Sequence, residues 1–131
     1  MVTNWVVIGD FNTVLRIEEK IGDKFYRIKA YDLLFCIYRC GLTEVSISGD
    51  DFTWSRHTIN GKQTSKLDRC FVHVDERNMM VDVSGRTLLR IHSDHNPIFM
   101  DVFFNKSRSS PLPFKFNNAW VVIPGCREIV L

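Results

Sequence analysis

The sequence predicts an α+β domain in which a mixed, largely antiparallel sheet is flanked by helices. Three observations support this fold class. One stretch has the apolar spacing of a helix, several short apolar runs are separated by turn-forming residues, and an Asn-Gly pair marks a hairpin. With 131 residues, 45% of them hydrophobic and 12% aromatic, the chain can bury a single core.

The first predicted strand, Trp5 to Ile8, runs into a polar turn. Gly9 is followed by Asp10 and Asn12, whose side chains leave the strand tip on one side because strand side chains alternate with a period of two. A carboxylate beside an amide can position a water, bind a cation or hold a phosphate oxygen. The alternative is a turn capped by its own side chains.

A helix is predicted from about Tyr26 to Cys40, after a polar loop. Gly41 stands where a left-handed residue ends many helices. Apolar residues at helical spacing predict the face that packs on the core. They are Ile28, Tyr31, Leu34, Phe35, Tyr38 and Leu42.

Short strands are predicted after the helix. Residues 42–47 and 52–55 form two strands on either side of a turn at 48–51. Asn60-Gly61 predicts a type I′ turn with positive φ at both residues. The resulting hairpin joins strand 53–56 to strand 65–69, which continues through Val72.

The second half of the chain is predicted to hold one or two helical turns and three further strands. The helical turns fall at 74–80, and the strands at 81–83, 87–91 and 98–104. Two prolines, three serines and two basic residues make 106–113 a linker, and 114–131 forms a tail. The domain therefore covers residues 1–105.

The four cysteines are too few and too irregular for a disulfide framework, which favours buried free thiols. A zinc site built from Cys36, Cys40, Cys70 and His73 is a weaker alternative, because these spacings are unusual for zinc ligands. No signal peptide or membrane-spanning run is visible, so we expect an intracellular protein, nuclear or cytoplasmic, with no membrane partner. The net charge of +2 neither requires nor excludes a nucleic acid.

Three polar clusters stand at the ends of predicted strands: 9–12, 66–69 and 93–97. Together they supply three carboxylates, an amide and an imidazole, from Asp10, Asp68, Asp94, Asn12 and His95. Phosphodiester cleavage with a divalent metal requires oxygen ligands, a base for water and a donor to the phosphoryl oxygen. Taken singly, the second cluster also fits a surface ion pair and the third a capped turn.

The order and spacing of these clusters resemble the C-terminal half of the endonuclease/exonuclease/phosphatase family, which has the deoxyribonuclease-I-like fold. Within it, the chain is most similar to endonuclease domains of plant LINE-type non-LTR retrotransposons. The matching segments are 7–12 (VIGDFN), 40–42 (CGL), 52–55 (FTWS), 66–69 (KLDR) and 93–97 (SDHNP). Residues 114–120 (FKFNNAW) resemble the segment before a reverse transcriptase, which would then be a partner domain in a full-length element. The resemblance implies the C-terminal half of a four-layer α/β-sandwich.

The resemblance also implies a role for each matched residue, with Mg²⁺ as cofactor and DNA as substrate. Asp10 would orient or deprotonate the attacking water and, with Asp94, lie at the metal. Asn12 would steady the phosphate. His95 would donate to a phosphoryl oxygen, and Asp68 would orient that histidine.

The family's principal metal ligand is a glutamate in an N-terminal half that has no counterpart before Met1. We therefore expect a remnant or truncated form of a Mg²⁺-dependent DNA endonuclease, inactive alone, with apolar residues on an uncovered sheet face. One alternative is a non-catalytic nucleic-acid-binding module that uses the basic and aromatic residues of the hairpin. These are Trp54, Arg56, Lys66 and Arg69, with His57 and Lys62 beside them. Another is a phosphomonoesterase of the same superfamily, which the FTWS and LDR segments disfavour.

Overall fold

The computed structural model describes residues 4–73 and 81–104. This part of the chain is α+β, as predicted, but it has one α-helix and three small, mostly antiparallel sheets where one sheet flanked by helices was expected. A short 3-10 helix, Ile17–Glu19, precedes the second strand. The elements are β1 (Trp5–Asp10), β2 (Lys20–Ile21), α1 (Arg27–Arg39), β3 (Thr43–Glu44), β4 (Ile47–Ser48), β5 (Trp54–Thr58), β6 (Gly61–Ser65), β7 (Asp68–His73), β8 (Val81–Thr87) and β9 (Ile98–Phe104).

Each sheet has three strands, in the orders β1-β7-β3, β2-β6-β5 and β4-β8-β9. The pairs are antiparallel except for β4 with β8. In the first sheet, β1 and β7 align so that Asp10 lies opposite Asp68. This register puts the last residue of one strand beside the first residue of its neighbour.

The core lies between α1 and the sheet that contains β7. Phe11, Leu33, Leu42 and Phe71 form its buried centre. The rings of Phe11 and Phe71 meet edge to face, with centroids 5.0 Å apart, a favoured geometry for aromatic pairs. Phe11 follows Asp10 directly, so packing in the core fixes the end of β1.

The predicted helix is confirmed, with bounds within one residue. The predicted core face is wrong within the helix, and of its six residues only Leu42, beyond the helix end, is buried in the core. The helix buries Ala30, Leu33 and Cys36, whereas Ile28 is 78% exposed and Tyr38 81% exposed. The helix is apolar on two sides. Periodicity identifies an apolar side without showing which one packs, and the side with the smaller residues approaches the sheet.

Gly41 ends the helix as predicted, with φ of +62°. The amide N of Gly41 donates to the carbonyl O of Tyr38 (3.1 Å), and that of Leu42 donates to Ile37 (3.0 Å). A Cβ at Gly41 would also lie 3.2 Å from the imidazole of His73. A glycine is therefore favoured here both by the backbone conformation and by the close neighbour.

The hairpin is confirmed, but its turn and its second strand differ from the prediction. Thr58 pairs with Gly61, and the connection is Ile59-Asn60. Asn60 is not among the positive-φ residues of the described chain, so the turn is not type I′. The second strand is Gly61–Ser65, because the amide N of Lys66 bonds instead to the carbonyl O of Glu19 (2.9 Å).

The remaining strand predictions hold in part. Strand 42–47 is divided into β3 and β4, which join different sheets, and strand 52–55 begins only at Trp54. Strand 81–83 extends to Thr87, whereas 88–91 is not a strand. Strand 98–104 is confirmed. The predicted helical turns at 74–80, the linker 106–113 and the tail 114–131 lie outside the described residues.

The predicted thiols are only partly confirmed. Cys40 and Cys70 are free, whereas Cys36 is disulfide-bonded. Within residues 4–73 and 81–104, the alternative zinc set does not gather as a metal-ligating group. Burial raises the pKa of the Cys70 thiol to about 11, which keeps it protonated and unreactive.

The described residues include no helix long and apolar enough to cross a membrane. Several large apolar side chains of the described residues are exposed. Ile8 on β1 is 46% exposed and Phe103 on β9 is 66% exposed. A large exposed apolar surface commonly marks a contact site.

Candidate functional site

The candidate site begins at the paired ends of β1 and β7. The register sets Asp10 opposite Asp68, and the amide N of Phe11 extends the ladder by donating to the carbonyl O of Leu67 (2.9 Å). Cross-strand partners have Cβ atoms about 4.5–5.5 Å apart. Two carboxylates predicted from separate motifs therefore meet at one sheet edge.

The loop that carries His95 reaches this edge by pairing with β5. His95 forms an isolated antiparallel bridge with Trp54. On either side of it, the amide N of Ser55 donates to the carbonyl O of Asp94 (3.0 Å), and the amide N of Asn96 donates to that of Thr53 (2.6 Å). These bonds hold the loop against the hairpin sheet and aim the imidazole at the end of β7.

The side chains of Arg90 and Asn96 hold the loop from its other side. Nε of Arg90 donates to Oδ1 of Asn96 (2.8 Å), and a terminal nitrogen of Arg90 donates to Oγ of Ser55 (2.6 Å). Asn96 is buried. Neither residue belonged to the predicted site, although Asn96 lies inside the 93–97 segment. The position of Asn96 next to His95 is the sequence feature that could have identified it.

His95 lies between the two strand-end carboxylates. Its Nδ1 is 2.8 Å from Oδ2 of Asp68, and its Nε2 is 3.8 Å from Oδ2 of Asp10. The bond to Asp68 fixes the ring orientation, because Nδ1 carries a proton when it donates to a carboxylate. Nε2 faces Asp10 and solvent. When it is protonated, it can donate a hydrogen bond to an incoming anion.

The pKa of His95 is raised above its ordinary value of 6.5. Partial burial is the largest single influence and acts against protonation, but the hydrogen bond to Asp68 and the negative charges of Asp68, Asp10 and Asp94 together outweigh it. Protonated imidazole is the form that binds phosphate oxygens best. The site therefore favours the charge state that phosphate binding needs.

Asp10 and Asn12 also form the self-capped turn that the sequence left as an alternative. Oδ1 of Asp10 accepts from the amide N of Asn12 (2.7 Å), and Asn12 has φ of +52°. Asparagine is among the residues that adopt this left-handed conformation most readily. Both side chains are exposed, and the turn leaves Oδ2 of Asp10 available on the side of His95.

Thr53 connects three parts of the site, and sequence reasoning missed it. Its buried Oγ1 accepts from the amide N of Leu67 and from that of Asp68, each at 2.9 Å. Its carbonyl O accepts from Asn96, as described above. Thr53 lies in the FTWS segment, but only the aromatic residue Trp54 of that segment was predicted to take part in a site.

Asp94 and Trp54 contact each other. Nε1 of Trp54 donates to Oδ2 of Asp94 at 2.9 Å. This hydrogen bond is the main reason that the pKa of Asp94 lies below its usual range. Asp94 was expected at a metal together with Asp10, and the metal-ligating group that the described residues form does not include it.

The hairpin cations do not form one surface. Arg56 is exposed, whereas Arg69 is fully buried and bonded to Glu19 and Glu44. Lys66 forms an ion pair with Glu44 (3.3 Å). The expectation of a continuous nucleic-acid surface at this hairpin therefore loses Arg69, whose guanidinium cannot reach a partner from the core.

Among the described residues, one group could hold a metal ion. It consists of Asp10, Asp68 and His95, whose ligand atoms lie within 4.8 Å of one another. Mg²⁺ prefers oxygen ligands, keeps several waters and is usually held by one or two carboxylates together with substrate phosphates. Oδ2 of Asp10 fits this role best, because Oδ2 of Asp68 is already bonded to His95.

No protein-family model, curated protein or solved structure matches the chain.

Proposed function

We propose that the candidate site at the paired ends of β1 and β7 is the phosphate-binding and water-positioning part of a Mg²⁺-dependent DNA endonuclease site. The single observation that carries the proposal is the Asp68–His95–Asp10 array, in which one imidazole bonds to one carboxylate and faces another. Three motifs, far apart in sequence, converge in the arrangement that the resemblance implies for phosphodiester cleavage. Under this proposal, the three small sheets correspond to part of a deoxyribonuclease-I-like sandwich.

In the proposed reaction, water attacks the phosphorus of a DNA phosphodiester. The carboxylate of Asp10 orients the water and accepts its proton, the P–O bond to one sugar oxygen breaks, and that leaving oxygen takes up a proton from solvent. Nε2 of His95 donates a hydrogen bond to a non-bridging phosphoryl oxygen, and Asp68 holds the imidazole in position. The side-chain amide of Asn12 contacts the phosphate as charge builds on it. Such prearranged donors lower the barrier, and removing one commonly costs about 10²–10³-fold in rate.

Mg²⁺, when bound, would supply charge neutralisation at the phosphoryl oxygens. Asp10 would hold it, and the remaining ligands would be waters and the phosphate itself. The donor set among the described residues is poor for tight binding: it contains two carboxylates, one of them already engaged by His95, and no glutamate. We therefore expect weak metal binding and negligible turnover by this chain alone.

The metal arm of the proposal is tested with Mn²⁺ as a paramagnetic stand-in for Mg²⁺. Nuclear magnetic resonance (NMR) signals of Asp10 and His95 should broaden first as Mn²⁺ is added. Asp10→Asn should abolish this selectivity. Asp51→Asn, at another exposed carboxylate, is the matched control and should leave it unchanged. Broadening that is centred elsewhere, or unchanged by Asp10→Asn, contradicts the assignment of Asp10.

The turnover arm uses nicking of supercoiled plasmid in Mg²⁺, with a chelator control. The chain alone should give no nicking above background. Robust cleavage that Asp10→Ala abolishes would show that the chain is active by itself and would overturn the expectation of inactivity. Hydrolysis of a nucleotide-free phosphate monoester would instead favour a phosphomonoesterase.

A further inference from the structure

Three lysine side chains gather around the ring of Tyr26, away from the residues assigned to the reaction. The Nζ atoms of Lys20, Lys24 and Lys29 lie 5.5, 5.9 and 5.4 Å from the ring centre. Tyr26 is half exposed. The face of an aromatic ring attracts cations, so Tyr26 holds together three ammonium groups that would otherwise disperse.

These ammonium groups are close enough to repel one another. Because each lies within 5.9 Å of the same point, no two are more than about 12 Å apart, close to the Debye length of about 10 Å at 0.1 M salt. Asp23 contacts Lys20 at 2.9 Å. Lys24 and Lys29 have no ion pair with the residues that the structure describes. Segment 20–29 holds four basic residues and one acidic residue, so the cluster carries excess positive charge.

We propose that this cluster, Lys20, Lys24, Lys29 and Tyr26, binds the phosphodiester backbone of DNA. A chain of phosphates suits these separated cations better than one small anion does, because the ammonium groups of Lys24 and Lys29 can each neutralise a different phosphate and release a counterion, while Lys20 is paired with Asp23. The exposed part of the Tyr26 ring adds a surface on which a base can stack.

The cluster lies close enough to the candidate site for one DNA strand to reach both. Lys20 pairs with Ser65 across β2 and β6, and Ser65 is three residues before Asp68. A cross-strand step of about 5.5 Å and three extended residues of about 3.6 Å each put the Cα atoms of Lys20 and Asp68 within about 16 Å. At about 3.4 Å per nucleotide, roughly five nucleotides cover that distance. The choice of DNA rests on the proposed function.

The test is fluorescence anisotropy with a labelled DNA oligonucleotide in chelator, over a range of salt. Lys24→Ala/Lys29→Ala removes the two unpaired ammonium groups. With a single-stranded oligonucleotide it should lower the slope of log K against log salt by about 1.4, since each lost phosphate contact on a single strand is worth about 0.7. The affinity difference from the unmodified protein should then shrink about sevenfold between 50 and 200 mM salt. Arg56→Ala/Lys62→Ala, on the exposed hairpin, is the control and should leave the slope unchanged.

Tyr26→Ala tests the geometry without changing the charge. It should weaken DNA binding while Tyr26→Phe, which keeps the ring, binds normally. The proposal is overturned if the lysine variant keeps the unmodified slope, or if the hairpin variant alone loses it. It is also overturned if phosphatidylserine vesicles bind as tightly as DNA with the same dependence on these lysines. Because metal is absent, failure here is separate from failure of the Asp10 assignment.

Discussion

Asp68 and Arg69 are consecutive residues of β7, and their side chains have different roles. Asp68 faces the site and orients a partly exposed imidazole. Arg69 points to the other face, is fully buried and bonds to Glu19, which also accepts from the amide N of Leu15 (2.8 Å). The same short motif thus supplies one side chain for chemistry and one for stability, because strand side chains alternate between faces.

The buried Arg69–Glu19 pair and the Asp68–His95 pair of the site also differ in the direction of their pKa shifts. Burial is the largest single influence on Glu19 and acts to raise its pKa, but the hydrogen bonds from Arg69 and Leu15 and the positive charges of Arg69 and Lys66 together lower it. His95 moves in the opposite direction, with its pKa raised. The buried pair therefore stays ionised near neutral pH, whereas the site histidine changes charge above pH 6.5. This contrast makes four variants informative.

The largest effect is expected at Arg69. Arg69→Met removes the buried cation of Glu19 and leaves it only the exposed Arg16 (3.5 Å), and loss of one partner of a buried ion pair costs about 3–5 kcal/mol. The free energy of unfolding in urea should fall by that amount. Arg56→Met, at an exposed arginine, should change it by no more than about 0.5 kcal/mol. Equal effects of the two variants would contradict a structural role for Arg69.

The next effect is expected at Thr53, which joins the start of β7 to the loop that carries His95. Thr53→Val removes the acceptor for two amide groups, and unsatisfied buried donors cost about 1–3 kcal/mol. It should also lower the pKa of His95, because Asp68 loses its anchor. Thr53→Ser keeps the hydroxyl and should preserve both properties. Thr58→Val, on the hairpin, controls for a general effect of valine. A normal His95 pKa in Thr53→Val would mean that Thr53 is structural only.

A pH-dependent effect is expected from Asp68. Because the folded-state pKa of His95 is raised above 6.5, its contribution to stability is fully present below pH 6.5 and is lost as the pH rises through the folded-state value. Asp68→Asn should remove most of this loss, as measured by urea unfolding on both sides of pH 6.5. Asp101→Asn, at an exposed strand position, should retain it. An unchanged profile in Asp68→Asn would rule out the pairing as its source.

The smallest effect on stability is expected at Asp10. Its carboxylate is exposed, so Asp10→Asn should alter the free energy of unfolding by less than about 0.5 kcal/mol. The same variant should abolish selective Mn²⁺ broadening. A large loss of stability would instead assign Asp10 mainly to its turn with Asn12.

Local sequence features predicted much of the fold. The helix over 27–39, its end at Gly41 and the strand 98–104 each follow from signals within a few residues. The packed face of the helix did not follow, because Tyr31 and Leu33 are both apolar and only the sheet decides between their two sides. The hairpin register failed for a related reason: Thr53 and Glu19, distant in sequence, capture the amide groups of Leu67 and Lys66.

The candidate site was partly predictable because most of its residues lie in short local motifs. Asp10, Asp68 and His95 stand in short polar motifs at strand ends, and the register of β1 with β7 brings two of those ends together. The contribution of Thr53 depends on a tertiary hydrogen bond that no local pattern reports. Whether the cation of Arg69 faces solvent or core likewise depends on Glu19, which is 50 positions away.

The most direct test of the central claim is the pKa of His95, measured by NMR with and without a short DNA oligonucleotide in chelator. If Nε2 of His95 faces a bound phosphate, the added negative charge should raise the pKa further, and Asp68→Asn should weaken that response. The four histidines give an internal comparison, and His57 on the hairpin should not change. A His95 pKa that is unaffected while anisotropy shows the DNA to be bound would contradict the account.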